Sequence, residues 1–159
     1  MEPVFLNVYD IVFTASSVTS NLGLGVYHSG VAVYNTEYTF FGHEDNTTGV
    51  FEMSPNDDTQ LGHQFKFRES ILLGYTALSR NQIEDVLRKL ELDFPGNSYH
   101  LTNRNCNHFS NEFSNIICKE NIPLWVNRSA YFGSWIYWGI KPFKSIFQSC
   151  QSNPPSLTH

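Results

Sequence analysis

The segment NRNCNHFSNEF, Asn103 to Phe113, places a cysteine two residues before a histidine in polar surroundings. A free cysteine is most often a small buried hydrophobe, but polar neighbours on both sides of Cys106 are an unusual setting for a core thiol. If Asn103 or Asn105 caps a helix, Cys106 lies in its first turn, where the helix dipole and free backbone amides stabilise a thiolate. The segment therefore indicates a nucleophilic cysteine, with a structural thiol as the alternative.

A nucleophilic thiol needs a base, and His108 is the nearest candidate in the sequence. Residues i and i+2 of a helix point about 200° apart around its axis, so the two side chains do not face each other. We expect His108 to hold the preceding loop or a neighbouring strand instead. His28 in YHSGV is better placed, because a strand is a rigid platform and Gly30 allows close approach of another backbone. The alternative for His28 is a hydrogen-bonded histidine at a strand end.

The remaining cysteines carry weaker signals. Cys118 ends an apolar run and is expected to be structural, and Cys150 in the tail receives no role. Cys106, His108 and Cys118 together offer nitrogen and sulfur ligands, but their spacing lacks the close pairs that are typical of zinc sites. The sequence also contains no P-loop and no dinucleotide-binding glycine motif. We therefore expect neither a metal nor a cofactor.

The elements that must position these residues are strands in the first half of the chain and helices in the second. Strands are predicted near Val4–Val12, Val26–Tyr34, Tyr38–Phe41, Gly49–Met53 and Phe65–Tyr75, with a turn at Asn35–Glu37. A capping box at Ser79–Gln82 begins a helix whose apolar face is Ile83, Val86, Leu87 and Leu90. A second helix begins near Asn105 with Phe109, Phe113, Ile116 and Ile117 as its buried side, and a shorter segment covers Leu124–Tyr131. Strands followed by helices predict an α+β domain.

Composition limits the classes of protein to consider. The 159 residues are 41% hydrophobic and 16% charged, which predicts one globular domain over residues 1–140 and a loosely ordered tail over 141–159. The net charge of −5 without a basic stripe argues against nucleic acid as a partner. No apolar run is long enough for an integral membrane segment. Three cysteines, with no recognisable signal peptide, indicate a reducing compartment, so we expect a cytoplasmic location with the nucleus as a second compartment.

Four motifs, taken together and in this order, are similar to a known family. The motifs are GVYHSGVAVYNTEYTFFGH, GVFEMSP, YHLTNRNCNHFSNEF and IPLWVNRSAYFGS. They resemble the PPPDE family of permuted papain-like thiol peptidases, in particular the desumoylating isopeptidases of the second type. The resemblance runs from about Asn7 to Gly133. It implies a circularly permuted papain-like fold, in which a small antiparallel sheet or barrel packs against helices and the histidine strand precedes the cysteine helix.

The resemblance also implies a chemistry and a set of partners. It implies removal of ubiquitin-like modifiers, SUMO or ubiquitin, from protein lysines by a dyad of Cys106 and His28. Protein S-depalmitoylation by the same dyad is the alternative activity, and a non-catalytic adaptor that binds modifiers is the alternative of another class. The implied partners are conjugates of ubiquitin-like proteins and a second copy of the chain in a homodimer.

Overall fold

The computed structural model describes residues 1–11 and 26–127. The polar loop before Gly25, the aromatic stretch from Ala130 to Ile140, and the tail with Cys150 and His159 lie outside these residues. The division of the chain at residue 140 therefore stays a prediction. Of the segment predicted around Leu124–Tyr131, residues 124–127 form a turn and the rest lies outside the described part.

Five antiparallel strands form one sheet. They are β1 (Glu2–Ile11), β2 (Tyr27–Val33), β3 (Thr36–Phe40), β4 (Val50–Met53) and β5 (Phe65–Thr76), in the spatial order β4-β3-β2-β1-β5. Two α-helices follow, α1 (Arg80–Asp93) and α2 (Cys106–Cys118). Short 3-10 turns occupy Asp58–Gln60 and Gly96–Ser98. The predicted α+β architecture, an antiparallel sheet packed against helices, is confirmed and is consistent with a papain-like domain.

The alternation of side chains along the strands gives the sheet two buried faces. The face that the helices cover, called the front face here, carries Val4, Leu6 and Val8 of β1 together with Phe109 and Phe113 of α2. The opposite face, called the back face, carries a smaller cluster, which consists of Tyr9, Phe41, Met53, Leu61 and Phe65. Because both faces are covered, every residue of β2 is buried.

The turn between β2 and β3 lies one residue earlier than predicted. It consists of Tyr34 and Asn35, both with positive φ (52° and 60°), instead of Asn35–Glu37. A two-residue hairpin that matches the strand twist needs positive φ at both positions, and asparagine tolerates this conformation well. Tyr34 is held there by its hydroxyl, which donates to the Leu78 carbonyl (2.8 Å). This hydrogen bond to a residue distant in the chain holds Tyr34 in the turn, so the turn lies one residue before the position that local sequence preferences predict.

Both helices begin where the sequence predicts. Ser79 and Gln82 form the expected capping box of α1, and Ile83, Leu87 and Leu90 are its buried residues. In α2 the prediction is right for Phe109, Phe113 and Ile117 but wrong for Ile116, which is 37% exposed. The buried face of α2 is instead completed by small polar residues, Ser110 and Ser114. Ser110 meets the Ser29 hydroxyl of β2, and Ser114 donates to the carbonyls of Asn111 and Glu120, so both have partners in their buried positions.

Candidate active site

Cys106 is the first residue of α2, as predicted. The Asn105 side chain caps the helix and accepts a hydrogen bond from the His108 backbone N–H (3.1 Å). The same side chain donates to the Leu101 carbonyl (2.8 Å), which ties the helix start to the preceding loop. Cys106 is 3% exposed, so the thiol is buried in spite of its polar sequence neighbours.

His108 completes the cap instead of facing the thiol. Its Nδ1 accepts a hydrogen bond from the Asn105 backbone N–H (3.2 Å), which makes Asn105 and His108 a reciprocal capping box. This confirms the expectation that His108 holds the loop before the helix. The Cys106–His108 pair in the motif is therefore a nucleophile candidate and a capping residue.

His28 lies on β2 and its ring is on the back face of the sheet. It is 2% exposed and stacks on Phe41, with ring centroids 4.5 Å apart, while Phe65 contacts it edge-on at 5.2 Å. Its Nε2 forms a hydrogen bond with the Thr39 hydroxyl (2.8 Å). Aromatic packing and this hydrogen bond hold the imidazole in one orientation.

The Thr39 contact also determines which ring nitrogen is free to accept a proton. The Thr39 hydroxyl has one proton, and it donates that proton to the Ser29 carbonyl (2.9 Å). In the neutral ring, His28 Nε2–H must then be the donor to Thr39 Oγ1. Nδ1 therefore carries the lone pair, and Nδ1 is the atom that could take a proton from a thiol.

Ser29 connects the two predicted residues, because it follows His28 in the chain and its hydroxyl binds Asn107, the residue after Cys106. The ladder between β2 and β3 covers only Val31–Val33 of β2, so the strand start lacks backbone partners on the β3 side. The Thr39 side chain takes one of these positions, because its hydroxyl binds the Ser29 carbonyl (2.9 Å). The Ser29 backbone N–H is one of the groups that lower the pKa of Cys106. Among the described residues, no hydrogen bond joins the thiol directly to the imidazole.

A polar seam joins the strand of His28 to the helix of Cys106. The Ser29 hydroxyl donates to Asn107 Oδ1 (2.7 Å) and lies 2.9 Å from the Ser110 hydroxyl. The Asn107 amide donates to the carbonyls of Tyr27 and Val126 (3.2 Å each). Ser29, Thr39 and Asn107 were not predicted as site residues. The signals that could have found them are polar residues within buried strands and at the buried positions of α2.

Burial governs the protonation state of both candidate groups. Burial raises the pKa of the Cys106 thiol to about 11, against the opposing effects of the Ser29 N–H, the Tyr99 hydroxyl and the helix-start amides. Burial lowers the pKa of His28 to about 3. The helix-start amides lower the pKa of the thiol, as expected, but desolvation has the larger effect. At neutral pH both groups are uncharged.

The other candidates are not brought into this site. Cys118 is half-buried at the end of α2, and its thiol donates to the Ser114 carbonyl (3.2 Å), as expected of a structural thiol. Within residues 1–11 and 26–127, no group of three or more His, Cys, Asp or Glu side chains is arranged to hold a metal ion. Neither α1 nor α2 is long and apolar enough to cross a membrane.

Comparison with known proteins assigns this arrangement to a family. Residues 2–142, most of the chain, match the PPPDE putative peptidase domain. The chain belongs to the PPPDE family. The family match covers both His28 on β2 and Cys106 at the start of α2, so the resemblance to the PPPDE family that the four motifs predict is confirmed.

Several curated relatives support this membership. The chain is 45% identical over 127 residues to a desumoylating isopeptidase 1 homolog of Caenorhabditis elegans, which covers 80% of this chain and 38% of that protein. It is 38% identical to a DeSI-like protein of Arabidopsis thaliana, over 85% of this chain and 58% of the relative. A DeSI-like protein of Schizosaccharomyces pombe is 35% identical, over 82% and 65%. The chain thus spans less than two thirds of the length of these three relatives.

Proposed function

We propose that this PPPDE domain is a cysteine isopeptidase that removes SUMO from protein lysines, with Cys106 as nucleophile and His28 as general base and acid. The observation that carries the proposal is the buried hydrogen bond from the Ser29 hydroxyl to Asn107 Oδ1 (2.7 Å), because it joins the residue after His28 to the residue after Cys106 at the start of a helix. Family membership supports a peptidase, and the names of two relatives, desumoylating isopeptidase 1 homolog and DeSI-like protein, favour SUMO conjugates.

The proposed reaction begins from the neutral pair. His28 Nδ1 takes the proton of the Cys106 thiol, and the sulfur attacks the carbonyl carbon of the modifier's C-terminal glycine. Amides at the start of α2 are suitable donors to the oxygen that becomes negative. His28 then gives its proton to the lysine nitrogen as the C–N bond breaks. Water hydrolyses the resulting thioester, which releases the modifier's carboxylate and restores the thiol.

The burial of both groups adds a requirement to this proposal. Cys106 is 3% and His28 2% exposed, so a modifier's C-terminus reaches the sulfur only if the side chains over it move. Displacing water from the site during this step would strengthen the electrostatic interactions of the developing charges. We extend the proposal to ubiquitin conjugates, a homodimer, and a cytoplasmic and nuclear location on the family resemblance alone.

The proposal is tested by cleavage assays on the purified full chain. A SUMO-conjugated protein, a ubiquitin chain and an acyl-thioester probe are supplied in parallel to the wild type, Cys106→Ser, His28→Gln and the control Cys118→Ser. We expect Cys106→Ser and His28→Gln each to lower cleavage of the SUMO conjugate by roughly a thousandfold or more, and Cys118→Ser to retain it. Cleavage of the thioester probe alone would favour the depalmitoylase, and wild-type activity in Cys106→Ser would exclude the dyad.

A further inference from the structure

Thr39 lies next to His28 on the back face of the sheet. It belongs to β3, and Phe41, two positions further along the chain, stacks on the His28 ring with centroids 4.5 Å apart. Alternate residues of a strand point to the same face, so Thr39 and Phe41 approach the same imidazole. Thr39 is 1% exposed, and its hydroxyl therefore depends on protein groups for its hydrogen bonds.

The Thr39 hydroxyl takes part in two hydrogen bonds at once. Its Oγ1 lies 2.8 Å from His28 Nε2 and 2.9 Å from the Ser29 carbonyl oxygen. A carbonyl oxygen can only accept, so the single hydroxyl proton is directed to Ser29. The side of the hydroxyl that faces the ring is then a lone pair, which accepts the proton on Nε2.

The reverse arrangement, in which Thr39 donates to the ring, is unfavourable because of the Ser29 carbonyl. Ser29 is fully buried, and the ladder between β2 and β3 covers only Val31–Val33 of β2. A carbonyl that loses its partner in such a place has given up water without gaining a bond. The β-branched side chain of Thr39 also restricts rotation about χ1, so the hydroxyl is fixed before any substrate arrives.

The surroundings of His28 make the choice of ring nitrogen important for the reaction. The imidazole lies among Tyr9, Phe41 and Phe65, and it is neutral at pH 7, because burial lowers its pKa to about 3. A neutral ring accepts a proton at one nitrogen and donates at the other. A ring with its proton on Nδ1 could not take a further proton from a thiol at that atom.

From this geometry we propose that Thr39 is a positioning residue, which acts through His28 by keeping Nδ1 as the proton acceptor during catalysis. When Nδ1 takes the thiol proton, the ring becomes an imidazolium and the bond from Nε2–H to Thr39 becomes charge-assisted. That bond is stronger than in the neutral ring, so it lowers the barrier of the proton transfer. When Nδ1 gives its proton to the lysine nitrogen, the ring returns to the same tautomer. This inference rests on the proposed function, in which His28 is the base.

The first test measures the tautomer of His28 without any substrate. The full chain is labelled with ¹⁵N-histidine, and ¹H–¹⁵N correlation spectra at pH 7 show which ring nitrogen carries the proton. The His28 signals are assigned by their absence from His28→Gln. We expect the Nε2–H tautomer in the wild type. Thr39→Val leaves Nε2–H without its acceptor, so the ratio of the tautomers should shift toward Nδ1–H by about tenfold.

Two further variants separate this role from a structural one. Thr39→Ser keeps the hydroxyl and should keep the wild-type tautomer. Thr76→Val is the matched control, because Thr76 is also a buried threonine, and its hydroxyl accepts from the Leu78 N–H (3.1 Å) far along the chain from His28. It should leave the His28 tautomer unchanged. If Thr39→Val does not fold, Thr39→Ala removes the same hydroxyl and is expected to give the same shift.

The second test measures cleavage of a SUMO conjugate by the same proteins. Thr39→Val should lower kcat by roughly 10- to 100-fold with little change in KM, because the base is no longer held in its reactive form. Thr39→Ser should restore kcat to within about threefold of the wild type, and Thr76→Val should retain it.

Two results would overturn the role of Thr39. One is a wild-type His28 with its proton on Nδ1, and the other is a folded Thr39→Val or Thr39→Ala that keeps the wild-type ratio of tautomers. If the wild type does not cleave the conjugate, the proposed function fails, while the spectra still decide whether Thr39 sets the tautomer of His28.

Discussion

At the scale of single residues, Ser29 links the two halves of the candidate site. Its carbonyl binds the Thr39 hydroxyl that orients His28, and its N–H helps to lower the pKa of Cys106. Its side chain binds Asn107 of α2. A residue with no chemistry of its own in the proposed reaction thus determines how the nucleophile lies relative to the base.

The buried neutral His28 predicts a pH-dependent stability. Its pKa is about 3 in the folded chain and about 6.5 when unfolded, so between these values the unfolded chain binds the extra proton. The free energy of unfolding should therefore fall as the pH is lowered below 6.5, by about 2 kcal/mol from pH 7 to pH 5. Urea unfolding of the wild type and His28→Gln at both pH values measures this contribution.

The comparison of variants isolates His28 from other buried groups. Burial raises the pKa of Glu37, which acts in the opposite direction, but Glu37 is present in both proteins. His28→Gln should show a smaller loss of stability on acidification than the wild type. Substitution of the exposed His63 by glutamine should leave the loss unchanged. An acid-induced loss of the same size in His28→Gln would show that His28 is not buried in its neutral form.

At the scale of secondary structure, the start of α2 places the candidate nucleophile. Asn105 has an extended backbone (φ −121°) and its side chain binds the third amide of the helix. Cys106 therefore begins the helix with its sulfur against backbone N–H groups of its own first turn. The same capping arrangement in α1, with Ser79 and Gln82, lies far along the chain from the thiol and has only a structural role.

The two caps allow a matched test. Asn105→Ala should lower the free energy of unfolding by about 1–2 kcal/mol, because the His108 backbone N–H loses its acceptor. Fraying of the first turn should also expose Cys106, so iodoacetamide alkylation of the thiol should become faster. Ser79→Ala should cost a similar amount of stability and leave the alkylation rate unchanged. Unchanged alkylation in a destabilised Asn105→Ala would contradict the assigned role of the cap.

At the scale of the whole molecule, the front face of the sheet is not uniformly apolar. Phe109, Phe113 and Ile117 of α2 pack in the main hydrophobic core, while Asn107 and Ser110 bind polar groups of β2. The polar seam is buried, and each of its partners would lose water without gaining a bond if the helix shifted. The seam therefore fixes the position of α2 along β2, which apolar packing alone would leave less defined.

Removal of Asn107 should have a large effect on stability. Asn107→Ala leaves the Ser29 hydroxyl and the carbonyls of Tyr27 and Val126 without this partner, which should cost about 3 kcal/mol. Urea unfolding measures the loss. Asn115→Ala on the exposed side of the same helix should change the free energy of unfolding by less than about 0.5 kcal/mol. If Asn107→Ala lowers the free energy of unfolding no more than Asn115→Ala does, water molecules replace the hydrogen bonds that Asn107 makes.

Much of the fold could be predicted from the sequence, because the relevant signals are local. The apolar strands, the capping box at Ser79 and the helix start at Asn105 depend on residues within four positions of one another. The argument that His108 cannot face Cys106 needed only helix geometry. The same local information misplaced the turn before β3 and the exposure of Ile116, because a tertiary bond holds Tyr34 in the turn and buried hydrogen bonds hold Ser110 and Ser114.

The candidate site also has features that the sequence predicts and features that only the tertiary structure determines. The residue types and settings of Cys106 and His28, and the family that their motifs resemble, were available from the sequence alone. The seam through Ser29 and Asn107 and the Thr39 bond that orients His28 join residues that are distant in the chain or held by the sheet. Only the tertiary structure decided the protonation states, because burial is a property of the packed molecule and here it outweighs the helix-start amides.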